Sequence, residues 1–186
     1  MPHVNIEIKA RCDDPAAVRT TLLTMGARML GPDRQIDTYF RVPHGRLKLR
    51  EGLIENNLIF YAREDTQGPK RSDVILYGTR PSSDLKALLT AALGTLVAVE
   101  KRREIYFVAV AGLGLDGIEN VKIHLDSVDG LGSFVEIEAI DLDGTIRPER
   151  LRAQCEYLID RLGIRDADLV ADSYSDLILA TLPPDR

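Results

Sequence analysis

The segment from His124 to Glu138 limits the fold more than any other. It reads His-Leu-Asp-Ser-Val-Asp-Gly-Leu-Gly-Ser-Phe-Val-Glu-Ile-Glu, two strands joined by a glycine-rich turn. Side chains alternate faces along a strand, so Glu136 and Glu138 point one way and Ile137 the other. Asp126 can share that acidic face from the partner strand. Carboxylates gathered on one sheet face repel unless a cation joins them, and carboxylate oxygens suit Mg2+ or Mn2+. The expectation is a sheet with one acidic face that holds a divalent ion. No helix pattern follows Gly130-Leu131-Gly132, so that stretch reads as the hairpin turn and not as a phosphate loop.

The same period of two recurs along the chain. Val4 to Arg11 alternates apolar and polar residues, and further strands are expected at about 35–42, 46–51, 56–64, 73–79, 96–110, 118–127 and 133–142. Helical signals interrupt them only four times. Asp14 offers an N-cap before Pro15, with Val18, Leu22 and Met25 on one stripe and Gly26 as the stop. A second helix is expected from Ser82 or Ser83, with Leu85, Leu88, Leu89 and Ala92 inward and Gly94 ending it. A third has Pro148 near its start, Leu151, Cys155, Leu158 and Leu162 on one face, and Gly163 after it. The last begins at Asp172 and carries Leu177 and Ile178. No linker, internal repeat or low-complexity tract divides the chain, so residues 1–186 are expected to form one domain. Eight strands joined mostly by short turns predict an α+β fold whose antiparallel sheet curls or closes, because closure removes exposed edges.

Composition narrows the function classes. A chain of 186 residues can bury a real core, and its 45% hydrophobic and 28% charged shares are those of an ordinary soluble globular protein. No apolar run approaches the roughly 20 residues needed to cross a bilayer. The opening residues lack the basic and apolar regions of a signal peptide, so a cytoplasmic, membrane-independent protein is expected. Cys12 and Cys155 have no metal-type spacing and read as reduced thiols. A formal net charge of −5 argues against a general nucleic-acid binder, while leaving room for a local basic pocket.

The polar faces sort by sign. Lys48 and Arg50 stand two apart on one strand, Lys101 and Arg103 on another, and Arg63 follows Tyr61 at the same spacing. The carboxylates sit instead on the first strand, at Glu7, and on the late hairpin. Like charges close together are costly, so a merely solvated face tends to mix signs. Segregated acidic and basic strands suit a ligand that bridges them, with a metal on one side and a polyphosphate on the other. Arg offers forked donors to phosphate oxygens and Lys a compact charge. Any one such strand taken alone is ordinarily solvent-facing. Periodicity does not decide whether the polar face lines the inside of a barrel or its outside.

Taken in order, several segments form a pattern: Asn5-Ile6-Glu7-Ile8-Lys9, Asp37-Thr38-Tyr39-Phe40, the Lys48 and Arg50 strand, Leu58 to Asp65, and Pro69-Lys70-Arg71-Ser72-Asp73. The Lys101 and Arg103 strand, the His124 to Glu138 hairpin and Ser173-Tyr174-Ser175-Asp176-Leu177 complete it. This series resembles the CYTH family, the triphosphate tunnel metalloenzymes, and most of all its class IV adenylyl cyclase branch. The resemblance spans nearly the whole chain. It implies an eight-stranded antiparallel barrel forming a tunnel, with flanking helices. It implies a triphosphate held by Lys9, Lys48, Arg50, Arg63, Lys101 and Arg103, with Lys122 in addition, and one or two Mg2+ or Mn2+ ions held by Glu7, Asp126, Glu136 and Glu138. A homodimer acting on a small-molecule triphosphate is part of the same expectation.

One position departs from the family pattern. Asn5 stands where the opening Glu-x-Glu-x-Lys motif has its first carboxylate, and an amide oxygen can ligate a hard cation but brings no charge. The expected activity is adenylyl cyclase. Hydrolysis of thiamine triphosphate or inorganic triphosphate would use nearly the same residues, and a non-catalytic polyphosphate-binding module has Asn5 in its favour. His124 shares the face of Asp126 and reads equally as a substrate contact or a structural hydrogen-bonding group. Tyr39 and Phe40 read as core sooner than as a stacking platform for a base, and Tyr174 as packing or capping.

Overall fold

The alternating segments become eight antiparallel strands that close into a barrel. The computed structural model describes residues 2–109 and 120–183. The strands are β1 (Pro2–Arg11), β2 (Arg28–Phe40), β3 (Arg46–Glu51), β4 (Asn57–Arg63), β5 (Lys70–Gly78), β6 (Thr95–Val108), β7 (Val121–Val128) and β8 (Gly132–Asp141). Around the barrel the order is β1, β5, β4, β3, β2, β6, β7, β8, and β8 returns to pair with β1. Among the described residues four α-helices flank it: α1 (Pro15–Thr24), α2 (Leu85–Leu93), α3 (Pro148–Leu162) and α4 (Tyr174–Leu179). No helix among the described residues is long and apolar enough to cross a membrane.

Two packed regions fix which face of each strand turns inward. Ile6, Ile8 and Ala10 of β1, Ile123 and Leu125 of β7, and Val135, Ile137 and Ala139 of β8 pack outside the barrel, under Val18 and Leu22 of α1 and Leu151, Cys155 and Leu158 of α3. Each Val, Leu or Ile side chain among them contributes about 1.5–3 kcal/mol on removal from water. With the apolar face held by helices, the alternate residues of these strands must face the barrel interior. A second cluster joins Tyr39, Ile59, Tyr61, Val74, Val99, Val128 and Phe134 to Tyr174, with Leu177 and Ile178 of α4 packed against it. Cys12 and Cys155 are both free and buried, and burial pushes the Cys155 thiol up to about 12.

Several boundaries differ from the sequence expectation. The second strand starts at Arg28, well before residue 35: a register shift against β6 between Met29 and Gly31 keeps the strand going, and Pro32 still lies opposite Glu104. Residues 110, 118 and 119, expected at strand ends, lie outside the described residues. The last helix starts at Tyr174, since Ser173 is its N-cap and closes a capping box with Asp176. In α2 the expected inward stripe is only half formed: Leu85 and Leu89 are partly covered, while Leu88 and Ala92 are exposed. That helix rests on the barrel exterior beside β2 and not within a layer of its own.

Candidate functional site

A cavity of about 370 Å³ lies inside the barrel. Glu7 and Lys9 of β1, Lys48 and Arg50 of β3, Arg63 of β4, Arg103 of β6, Lys122 of β7, and Glu136 and Glu138 of β8 all line it. Two other expected site residues lie one layer deeper. Lys101 is fully buried with its ammonium 2.5 Å from Asp37, and Asp126 is fully buried against Arg103 and Tyr174.

Strand register assembles the acidic side. Glu7 lies opposite Glu138 and Lys9 opposite Glu136 across β1 and β8, and His124 lies opposite Glu136 across β7 and β8. Arg63 donates to Glu7 at 2.6 Å. Burial raises the Glu7 carboxyl above its usual value; Arg63 opposes this, and the nearby charges of Glu138 and Glu136 add to it. Burial also works against ionised Glu136, yet Arg103 and Lys9 hold it well below the carboxylate range. One oxygen each from Glu136 and Glu138 and one nitrogen of His124 lie within 4.8 Å of one another. Two carboxylates and an imidazole at such spacing can hold a divalent ion, so the donor set fits the metal expected from the sequence. Burial, reinforced by Arg103 and opposed by Glu138 and Glu136, pushes the His124 imidazole below its usual value and so favours the neutral form, the one that ligates metals.

On the basic side one residue that sequence reasoning did not assign organises the others. Asp37 of β2 faces Arg50 across β2 and β3 and accepts from it at 2.8 and 2.9 Å. Lys101 donates to the same carboxylate, and Lys48 stands 3.1 Å away. Although burial disfavours its charge, Arg50, Lys101 and Lys48 hold Asp37 well below the carboxylate range. The residue stood in the quoted Asp37-Thr38-Tyr39-Phe40 segment and on the inward face of its strand, so a signal was present.

Glu55 gave no such signal, because it lies in the β3–β4 loop where no period applies. Its carboxylate accepts from Arg50 at 2.9 Å and from Gln35 at 3.0 Å, and it pairs with Lys122. Asp33 holds the loop in place by accepting from the backbone N–H groups of Leu53, Ile54 and Glu55 at 2.6, 3.2 and 3.0 Å.

The start of α4 supplies more of the wall. Tyr174 donates its hydroxyl to Asp126 at 2.8 Å and packs edge-on against Phe134, and the Lys9 ammonium sits 4.0 Å from the centre of its ring. Tyr174 therefore packs as expected, and it also lines the cavity. Tyr39 is buried as expected of core, and its ring borders the same cavity beside Lys48. Ile59, Val74, Leu76, Ile140 and Leu142 give the cavity an apolar lining next to its charged one.

Comparison with known proteins yields a family model, a curated relative and solved structures of the same fold. The family model described as the CYTH domain matches residues 3–174. A curated protein named adenylate cyclase CyaB, from Aeromonas hydrophila, is 27% identical over 182 residues, covering 92% of this chain and 87% of its own. Among solved structures, the PH1012 protein of Pyrococcus horikoshii superposes with a TM-score of 0.73 at 22% identity, covering 93% of this chain and 98% of its own. The HpAC1 protein of Hippeastrum, whose structure is described as revealing a dominant triphosphatase activity, has a TM-score of 0.58 at 15% identity, over 98% of each chain. These structural likenesses concern the fold.

Proposed function

The chain belongs to the CYTH domain family, and on that premise we propose that it is a divalent-metal-dependent enzyme acting on an organic triphosphate, a class IV-type adenylyl cyclase converting ATP to cyclic AMP and pyrophosphate. The observation that carries this reading is the union, in one cavity, of a cation wall, an acidic cluster and an apolar lining. Arg and Lys suit phosphate oxygens. The apolar lining suits a nucleobase, and an inorganic triphosphate would leave it unfilled. The curated relative named as an adenylate cyclase supports the same choice.

In this reading Lys9, Lys48, Arg50, Arg63, Arg103 and Lys122 face the phosphates. Lys101 acts through Asp37, which positions Lys48 and Arg50. Glu7, Glu136 and Glu138 hold Mg2+ or Mn2+, and Asp126 orients Arg103 beside them. Such an ion, when bound, polarises phosphoryl oxygens and offsets their charge. The ribose 3′-oxygen bonds to the α-phosphorus, the bond from that phosphorus to the bridging oxygen breaks with its electron pair leaving on pyrophosphate, and the hydroxyl proton passes to solvent. The cation wall aligns the attack and stabilises charge on the leaving pyrophosphate.

A triphosphatase is the second reading, favoured by the density of cations, which would grip a terminal phosphate as firmly as an α-phosphate. Incubation with ATP, thiamine triphosphate and tripolyphosphate, each with Mg2+ and with Mn2+, separates the two. Cyclic AMP with pyrophosphate is the expected product. Orthophosphate would establish the triphosphatase instead, and no product under any condition would leave a binding module.

A further inference from the structure

Resting on the reading of the cavity as a divalent-metal site, we infer that His124 supplies a nitrogen ligand, and that the centre it forms with Glu136 and Glu138 prefers a first-row transition ion to Mg2+. The first observation is geometric. Nδ1 of His124 lies 3.4 Å from Oε2 of Glu136 and 3.6 Å from Oε1 of Glu138. Ligands about 2.1 Å from one ion stand about 3.0 Å apart at right angles and about 3.4 Å apart at tetrahedral angles. The nitrogen therefore stands at ligand spacing from both carboxylates, and the three groups offer ligand atoms within 4.8 Å of one another.

The second observation is independent of the cluster's shape. His124 is fully buried; Nε2 has no hydrogen-bond partner among the described residues, and Nδ1, 3.4 Å from Glu136, makes no well-aligned one. A buried polar group left this way costs stability, and a histidine kept for packing ordinarily donates its N–H to a neighbour. A metal ion satisfies one nitrogen directly. Glu138 points to the same need from the acidic side, since it forms no ion pair with Lys or Arg among the described residues, whereas Glu136 already faces Arg103 and Lys9.

The donor set then decides the ion. Mg2+ prefers oxygen ligands in a near-ideal octahedron and keeps several waters, whereas an imidazole nitrogen favours transition ions. Mn2+, the weakest binder of the first-row series, should still outcompete Mg2+ here. The residue that sets this preference is the one whose sequence role stood open between substrate contact and structural support.

Pulsed electron paramagnetic resonance on the full chain loaded with Mn2+ tests the assignment. Modulation from a directly coordinated nitrogen is expected; it should change on labelling histidine with 15N, persist in His3→Gln and vanish in His124→Gln. Competition titration should show Mn2+ bound at least about tenfold more tightly than Mg2+, with the ratio reduced in His124→Gln. Mn2+ bound with no nitrogen coupling in the wild-type chain would overturn the inference while leaving the metal site standing, and this readout does not depend on a buried variant folding. Absence of Mn2+ binding altogether would overturn both the inference and the metal reading beneath it.

Discussion

Asp37 accepts from both Arg50 and Lys101 and stands 3.1 Å from Lys48, so one buried carboxylate is shared by three cationic side chains. Replacing it with an uncharged amide would leave those cations facing one another in a dry site. Asp37→Asn is expected to cost about 3–5 kcal/mol, as removal of one partner from a buried ionic group does. Urea unfolding measures this, and a loss below about 1 kcal/mol would contradict the role given to Asp37. Asn5 borders the cavity with its amide oxygen buried and without a hydrogen-bond partner among the described residues. Asn5→Glu should therefore lower the concentration of Mn2+ needed for half-maximal binding; an unchanged titration would show that the missing carboxylate does not matter. Lys70 is buried, and its ammonium donates to the backbone oxygens of Thr66, Val170 and Ala171. Burial first, then Arg63 and Lys9, push its value down to about 8, against about 10.4 in the unfolded chain. Between these values the folded state has released a proton that the unfolded state keeps, so stability should rise with pH across that window. The stability of the wild type relative to Lys70→Gln should increase from pH 8 to pH 10, and a flat difference would contradict the shift.

At the scale of elements, the β3–β4 loop shows how local geometry builds a site that no periodicity announces. A Cβ on Gly52 would fall 2.6 Å from Oδ2 of Asp33 and 2.9 Å from the Glu55 carbonyl oxygen. Only glycine lets the loop pass close enough for Asp33 to accept from three successive N–H groups and deliver Glu55 to Arg50 and Lys122. Gly52→Ala is expected to cost about 1–3 kcal/mol in thermal unfolding, because the loop must shift to make room. An unchanged melting temperature would mean that the loop yields freely. The hairpin of β7 and β8 is the opposite case. Its alternation placed Glu136 and Glu138 on one face correctly, since a strand leaves a side chain only two directions. It could not show that Arg103 would engage both oxygens of Asp126, which draws that residue away from the cavity wall.

Over the whole molecule, each of the Lys and Arg residues expected to hold phosphate is already ion-paired with a carboxylate: Lys9 and Arg103 with Glu136, Arg63 with Glu7, Lys48, Arg50 and Lys101 with Asp37, and Lys122 with Glu55. A triphosphate must compete with these partners. A divalent ion that takes Glu7, Glu136 and Glu138 frees Lys9 and Arg63 for phosphate and leaves Arg103 with Asp126 alone, so the two ligands should help one another. An unreactive ATP analogue is expected to bind at least about tenfold more weakly in EDTA than with Mn2+, and linkage requires a matching gain in metal affinity. Equal affinities by isothermal titration calorimetry would show that the pairs do not restrain binding.

The sequence by itself determined the strands, the charged residues along them, and which of those residues share a face. All of these follow from an alternation of two that local chemistry imposes. It also placed the starts and stops of α1 and α3, because Pro15, Pro148, Gly26 and Gly163 act on their own backbone. Only the tertiary structure decided which side of the sheet is inside. That choice rests on α1 and α3 covering the apolar faces of β1, β7 and β8, contacts between residues far apart in the chain. The same closure brings Glu7 beside Glu138, lets a loop carboxylate reach two barrel strands, and sets a buried histidine against two glutamates. No local pattern encodes those distances, since they exist only once the barrel has closed.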